Sequence, residues 1–212
     1  ANDEFEYNTF SVNSFLNHKF NAKNSIRVGL TYHNKAFNLN ADKYNYFTYN
    51  LDNLIKQKGS TELFESYLQF KHRVSEKIDV IPGIHFTKLA LNNDYSIEPR
   101  LGVKWALNHQ HSLSMGGGMH SRIEPISIYL AEKELTDGTF VKPNINLDIT
   151  KAVHVVLSHN WNITENFRLK TELYYQYLYD VPVVLNDSTN TMSALNFRSG
   201  FTNEYLVNEG TG

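Results

Sequence analysis

The sequence predicts an all-β fold, an antiparallel up-and-down meander that forms part of a large transmembrane β-barrel. Three observations predict it. The first is FRLKTELYYQYLYDVPV at residues 167–183. Its odd positions are Leu169, Thr171, Leu173, Tyr175, Tyr177 and Tyr179, and its even positions are Arg168, Lys170, Glu172, Tyr174, Gln176 and Leu178. A period of two, with one apolar or aromatic face and one mostly charged or polar face, is the pattern of a strand. It lasts for about a dozen residues, roughly twice the usual globular strand. At ~3.4 Å per residue and ~45° tilt it climbs ~29 Å, about the thickness of a bilayer's hydrocarbon core. The second observation is that short turns fall at one end of the strands and long connections at the other, as in outer-membrane barrels. The third is that aromatic residues sit at two levels separated by an aliphatic band.

Taken in order, the first strand covers residues 3–20 and is irregular early on, and Asn21-Ala22-Lys23-Asn24 turns it. The second, residues 25–39, carries Ile26, Val28, Leu30 and Tyr32 on one face. A long polar segment, residues 40–60, is read as a loop. The third strand, residues 61–74, sets Phe64, Leu68 and Phe70 against Glu65, Tyr67, Gln69, Lys71 and Arg73. Ser75-Glu76-Lys77 leads to the fourth, residues 78–91, with Val80, Pro82, Ile84 and Phe86 on its apolar face. After Asn92-Asn93-Asp94 the fifth, residues 95–107, alternates Ile97, Pro99, Leu101, Val103 and Trp105 with Glu98, Arg100, Gly102, Lys104 and Ala106. Asn108-His109-Gln110 precedes the sixth, residues 111–123. A second long segment, residues 124–148, follows, and its Asp137-Gly138 suits the tip of a small hairpin. The seventh strand is residues 149–163, and Thr164-Glu165-Asn166 joins it to the eighth, residues 167–183, beyond which the chain is polar and irregular. Trp105 and Trp161 both precede short turns, while Tyr177 and Tyr179 lie at the long-loop end.

Composition narrows the class. The chain has 212 residues, of which 41% are hydrophobic, and no run nears the ~18 apolar residues of a transmembrane helix. A barrel escapes such a scan because lipid-facing and lumen-facing residues alternate. The 13 Tyr and 13 Phe suit a β-rich chain. A net charge of −2 argues against nucleic acid as a partner. With no cysteine there is neither a disulfide framework nor thiolate chemistry. The opening ANDEFEYNTF has neither the basic start nor the apolar stretch of a signal peptide, so export is expected to precede this numbering or the chain to belong to a longer one.

Four stretches carry a family resemblance: HKFNAKNSIRVGLTY (18–32), IEPRLGVKWALNHQHSLSMGGGMHSRIEP (97–125), KAVHVVLSHNWNITENFRLKTELYYQYLYDVPV (151–183) and LVNEGTG (206–212). In this order they resemble the barrel of TonB-dependent outer-membrane receptors of the Bacteroidetes lineage, over almost the whole chain. The resemblance implies a barrel of about 22 strands with a plugged lumen. This chain would supply some eight of them as a single partial domain, residues 1–212, an internal stretch without the plug. It implies a multi-pass barrel in a Gram-negative outer membrane. It also implies energised uptake of a scarce nutrient such as a metal chelate, cobalamin or glycan. The partners implied are outer-membrane lipid, the plug and remaining barrel of the same protein, and periplasmic TonB.

The residues that carry chemistry are sparse. Gly116-Gly117-Gly118 lacks the Gly-Lys-Ser/Thr of a phosphate loop and reads as a bulge, a bend or space for a neighbour. His109 and His111 have metal-pair spacing, as His154 and His159 lie close, but no further ligand accompanies them, so no metal site is assigned and His109 and His111 are read as turn residues. His85, His120 and His154 are expected inside. No cofactor motif and no catalytic constellation stands out. Arg100, Lys104, Arg122, Lys170 and Glu172, with Glu98 and Arg168, are expected to face the lumen, because Arg or Lys on the lipid face costs roughly 2–4 kcal/mol at mid-membrane. Substrate contact is expected from the long-loop aromatics Tyr44, Tyr46, Phe47 and Tyr49 in one segment and Tyr129 and Phe140 in the other, since exposed aromatics supply contact area. The bland alternative is that they pack together to cover the mouth. A self-contained soluble β-rich ligand-binding module is the second class of function. Detergent-dependent solubility and an unpaired terminal strand favour the first.

Overall fold

The computed structural model describes residues 2–45, 49–185, 193–196, 202 and 204–212. Its main sheet has eight strands in the order β1-β2-β3-β4-β5-β6-β9-β10, every neighbouring pair antiparallel. The strands are β1 (Asn2–Lys19), β2 (Asn24–Asn45), β3 (Asn50–Arg73), β4 (Ile78–Leu89), β5 (Tyr95–Ala106), β6 (His111–Arg122), β9 (Thr150–Asn162) and β10 (Arg168–Tyr179). Between β6 and β9 lie a one-turn helix α1 (Ile126–Tyr129) and a small hairpin of β7 (Lys133–Glu134) and β8 (Phe140–Val141). The hairpin is tipped, as its sequence suggested, by Asp137-Gly138, with Gly138 at φ +80°. Among the described residues no helix is long and apolar enough to cross a membrane, which says nothing about crossing by strands.

The register sorts the side chains into two faces. Across β4–β5, Ile78 opposes Trp105, Val80 opposes Val103 and Pro82 opposes Leu101. Across β9–β10, Leu157 opposes Leu173 and Trp161 opposes Leu169. Leu101, Trp105, Val155, Leu157, Leu169 and Leu173 are all exposed, and Val103 is half-buried on the same face. We call this the outer face. The inner face carries the alternate residues, including Arg100, Lys104, Arg122, Lys170 and Glu172, and a recess opens on it beside Arg100.

Two predicted boundaries change. Residues 40–60 are not one long loop: β2 and β3 run 22 and 24 residues and stay paired from Asn24↔His72 to Asn45↔Asn50, with one register shift at Ala41/Asp42. Twenty-two residues at this pitch and tilt climb ~50 Å, so the hairpin stands some 20 Å beyond a bilayer core. The outer face marks the crossing point. Ile26, Val28, Leu30 and Tyr32 give way to Asn34, and Phe64 gives way to Glu62, with the Tyr32 and Phe64 rings 5.2 Å apart at the boundary. Beyond it the apolar residues change face, and Phe37, Leu39, Ala41 and Ile55 point inward and are buried. The eighth strand also ends early. Asp180, at φ 54°, breaks it after Tyr179. Val181–Val184 (β11), most of it expected as the end of the eighth strand, then pairs with Leu206–Gly210 (β12), which lies in the region expected to be irregular.

The core sits at the long-loop end, on the inner face. Residues 124–148 fold inward over the sheet, and Ile126 and Leu130 pack with Phe37, Leu39, Ala41 and Ile55. Ile128, Tyr129, Leu147 and Ile149 pack with Leu63, Leu89 and Leu206. β1 and β10 are the sheet's edges. At one point on β10, Leu178 and Gly212 exchange two backbone hydrogen bonds of 2.6 and 3.1 Å.

Candidate functional site

Two regions of the inner side carry polar chemistry, the mouth and the wall below it. At the mouth, residues 124–148 are held in place by side chains that satisfy backbone groups, as buried polar groups require. Asn144 donates to the Glu204 carbonyl at 2.9 Å and accepts from the Leu206 amide at 3.0 Å. Asn92 donates to the Leu147 carbonyl at 2.8 Å, and Asp94 accepts from the Ile149 amide at 2.6 Å. Gln57 donates to Glu132 at 2.6 Å, which ties the segment to the tall β2–β3 hairpin. The buried Glu124 carboxylate accepts from the Thr150 hydroxyl at 2.8 Å and lies 3.5 Å from Arg122.

The loop aromatics divide. Tyr129, expected as an exposed contact residue, is fully buried, its ring inside the core and its hydroxyl accepting from the Glu124 amide at 3.4 Å. The apolar run Ile126-Ser127-Ile128-Tyr129-Leu130-Ala131 requires a cover, and the inner residues of β2 and β3 supply it. Burial pushes the Tyr129 hydroxyl well above the usual phenol range, so it stays neutral. Tyr129→Ala is expected to destabilise the folded protein by about 3–5 kcal/mol through lost burial and the cavity left behind. Tyr129→Phe should cost far less. Urea unfolding in lipid vesicles measures both. Phe140 is exposed at the small hairpin, as are Tyr44 near the end of β2 and Tyr49 in the turn before β3. Tyr46 and Phe47 lie outside the described residues.

Lower on the wall, Glu98 is 1% exposed and gathers four partners. It accepts from Arg100 Nη2 at 2.6 Å, from Ser121 Oγ at 2.5 Å and from Thr87 Oγ1 at 3.3 Å, and His85 Nδ1 lies 3.2 Å away. Glu98 and His85 are direct cross-strand partners. Ser121 reaches Glu98 because β5–β6 pairing stops at Arg100↔Gly118. At Gly118 a Cβ would lie 2.8 Å from Arg100 Cγ, so the absent side chain lets the arginine lie flat on the wall. Of the other expected inward charges, Lys170 pairs with Glu172 at 2.8 Å, Arg122 faces Glu124, and Lys104 is exposed on the same face.

His111 is not a turn residue. It opens β6 on the outer face, stacks on Trp161 at 5.4 Å and places Nδ1 3.1 Å from Nε2 of His159. The two rings are coplanar within 2° with centroids 5.3 Å apart, so their nitrogens meet head-on, as in an N–H···N hydrogen bond. A shared metal would need more room. Among the described residues no group of three or more His, Cys, Asp or Glu could hold a metal ion.

An antiparallel meander with an exposed apolar outer band, aromatic borders and a polar inner wall is the architecture of part of a transmembrane β-barrel. Comparison with solved structures agrees. The siderophore receptor PirA from Pseudomonas aeruginosa superposes with a TM-score of 0.70 at 12% identity, over 99% of this chain and 38% of that one. The FrpB iron transporter from Neisseria meningitidis gives 0.63 at 13% identity, over 99% and 32%. The copper transporter OprC gives 0.63 at 11% identity, over 86% and 32%. The chain thus spans roughly a third of the length of these neighbours. At such identities the likeness is one of fold. No protein-family model and no curated protein matches the sequence.

Proposed function

We propose that these residues form part of the barrel wall of a TonB-dependent outer-membrane receptor that takes up a scarce nutrient, a metal chelate, cobalamin or a glycan. The observation that carries this is the outer face. Leu101, Met115, Leu157 and Leu173 are 45–67% exposed in one continuous sheet, and a water-facing surface rarely leaves so broad an apolar band uncovered. Lipid covers it without cost. The long edge strands β1 and β10, which invite pairing, fit a wall that continues into further strands, the lumen then holding a plug that couples to periplasmic TonB. The neighbours named as siderophore, iron and copper receptors or transporters favour a metal-bearing cargo. The sequence motifs favour the Bacteroidetes lineage.

Cargo recognition is assigned to the long-loop end, from the β2–β3 hairpin with Tyr44, Tyr46, Phe47 and Tyr49 and from the β7–β8 hairpin with Phe140. Trimming residues 43–52 together with residues 133–141 in the full-length receptor spares the buried Tyr129. Whole-cell binding and uptake are expected to fall at least tenfold while the receptor still reaches the outer membrane. Unchanged binding and uptake would remove these hairpins from recognition.

A further inference from the structure

Below the mouth, the inner wall holds a recess of about 730 Å³, within the range of small-molecule sites. The middle of its floor, between Ile81 and Val156, is bare backbone. The inward positions 83, 102, 116 and 118, on three adjacent strands, are all glycine, with Gly102 directly opposite Gly116. A Cβ at Gly116 would meet nothing within 4 Å, so this glycine relieves no crowding and simply leaves space. Glycine inside a strand weakens it, and its usual return is close approach to the backbone.

The rim is cationic and incompletely partnered. Arg27 lies over the Phe15 and Tyr67 rings, 5.2 and 5.7 Å from their centroids, with no carboxylate partner among the described residues. Arg100 spends its Nη2 on Glu98 and leaves Nε buried without a partner. His154 Nε2 is likewise buried and unpartnered, its ring 4.5 Å from that of His120. The nearby carboxylates are already engaged, Glu98 by Arg100 and His85 and Glu65 by His33 at 3.0 Å.

We propose that this recess is a binding site for a small solute bearing carboxylate or phosphate groups. Arg27 and Arg100 would supply charge, His154 an oriented donor, and the glycine floor room for the ligand to lie against the wall. The proposal rests on the transport reading in one respect, that solutes pass this face.

The test is thiol labelling of Gly116→Cys in the full-length receptor in outer-membrane fragments, any thiol outside this stretch having been replaced. This stretch itself has no cysteine. The probes are two methanethiosulfonates of similar size, the anionic sulfonatoethyl and the cationic trimethylammonioethyl reagents. Each rate is normalised to that at Asn166→Cys in a short turn. The anion-to-cation ratio is expected to be about tenfold above unity, given the unpaired cation at the rim. It should fall towards unity with Arg27→Gln, and millimolar citrate, but not glucose, should slow labelling. A ratio at or below unity, or no protection by citrate, overturns the proposal. So does a thiol inert to both reagents in folded receptor, which would mean that the receptor's own chain fills the recess. Labelling does not require transport. A receptor that takes up cargo with a ratio of unity loses only this site, and one that labels selectively without uptake loses only the transport reading.

Discussion

Leu157→Arg is expected to destabilise the full-length barrel by about 2–4 kcal/mol and to lower the amount assembled in the membrane several-fold. Leu157 is exposed on the outer face, opposite Leu173 on β10 and Met115 on β6. In the membrane its neighbours there would be acyl chains, which cannot solvate a guanidinium. Gln176→Arg places the same charge one strand away on the inner face, beside the polar wall, and should be nearly neutral. Reversible unfolding from vesicles gives the difference directly. Equal effects at the two positions would mean that the faces do not differ in solvent.

The second large effect is expected at Glu98. Glu98→Ala removes the acceptor for Arg100, Ser121 and Thr87 and leaves His85 facing a void. Breaking a buried ion pair from one side costs about 3–5 kcal/mol, but the Arg100 side chain is 39% exposed and regains some water, so about 2–3 kcal/mol is expected. Glu98→Gln keeps the volume and most hydrogen bonds and should cost less than half of that. A double-mutant cycle with Arg100→Ala should show coupling above about 1 kcal/mol, because the two groups share one network. Additive losses would mean that the network is a crystal-like arrangement without energetic weight.

Strands β4, β5, β6 and β9 were readable to within a residue or two, since strict alternation and polar three-residue turns leave one register. The β2–β3 hairpin was not read to its full height. Its outward apolar series stops at Tyr32 and Phe64, and the polar residues beyond look like a loop. The signal was present in the other phase, in Phe37, Leu39 and Ala41, which alternate inward once the strand leaves the membrane and meets the folded mouth. Tyr129 was misplaced because exposure was inferred from loop position, although the apolar run around it demanded burial. The Glu98–His85 contact was not legible, because a turn at Asn92-Asn93-Asp94 would set Glu98 opposite Lys88, whereas the chain turns directly after Leu89 and the register sets Glu98 opposite His85. Nor was Ser121's part, because it depends on pairing that stops at Gly118.

The central claim, that this sheet separates lipid from an aqueous lumen, is tested most directly by nitroxide scanning of β10 from Arg168 to Tyr179 in the full-length protein in bilayers. Collision with oxygen, which partitions into lipid, should peak at 169, 171, 173 and 175. Collision with a water-soluble nickel chelate should peak at 168, 170, 172 and 174, in a period of two along the strand. Water access at both sets of positions, or an odd-numbered set shielded from both probes as in a soluble sandwich core, would contradict the account.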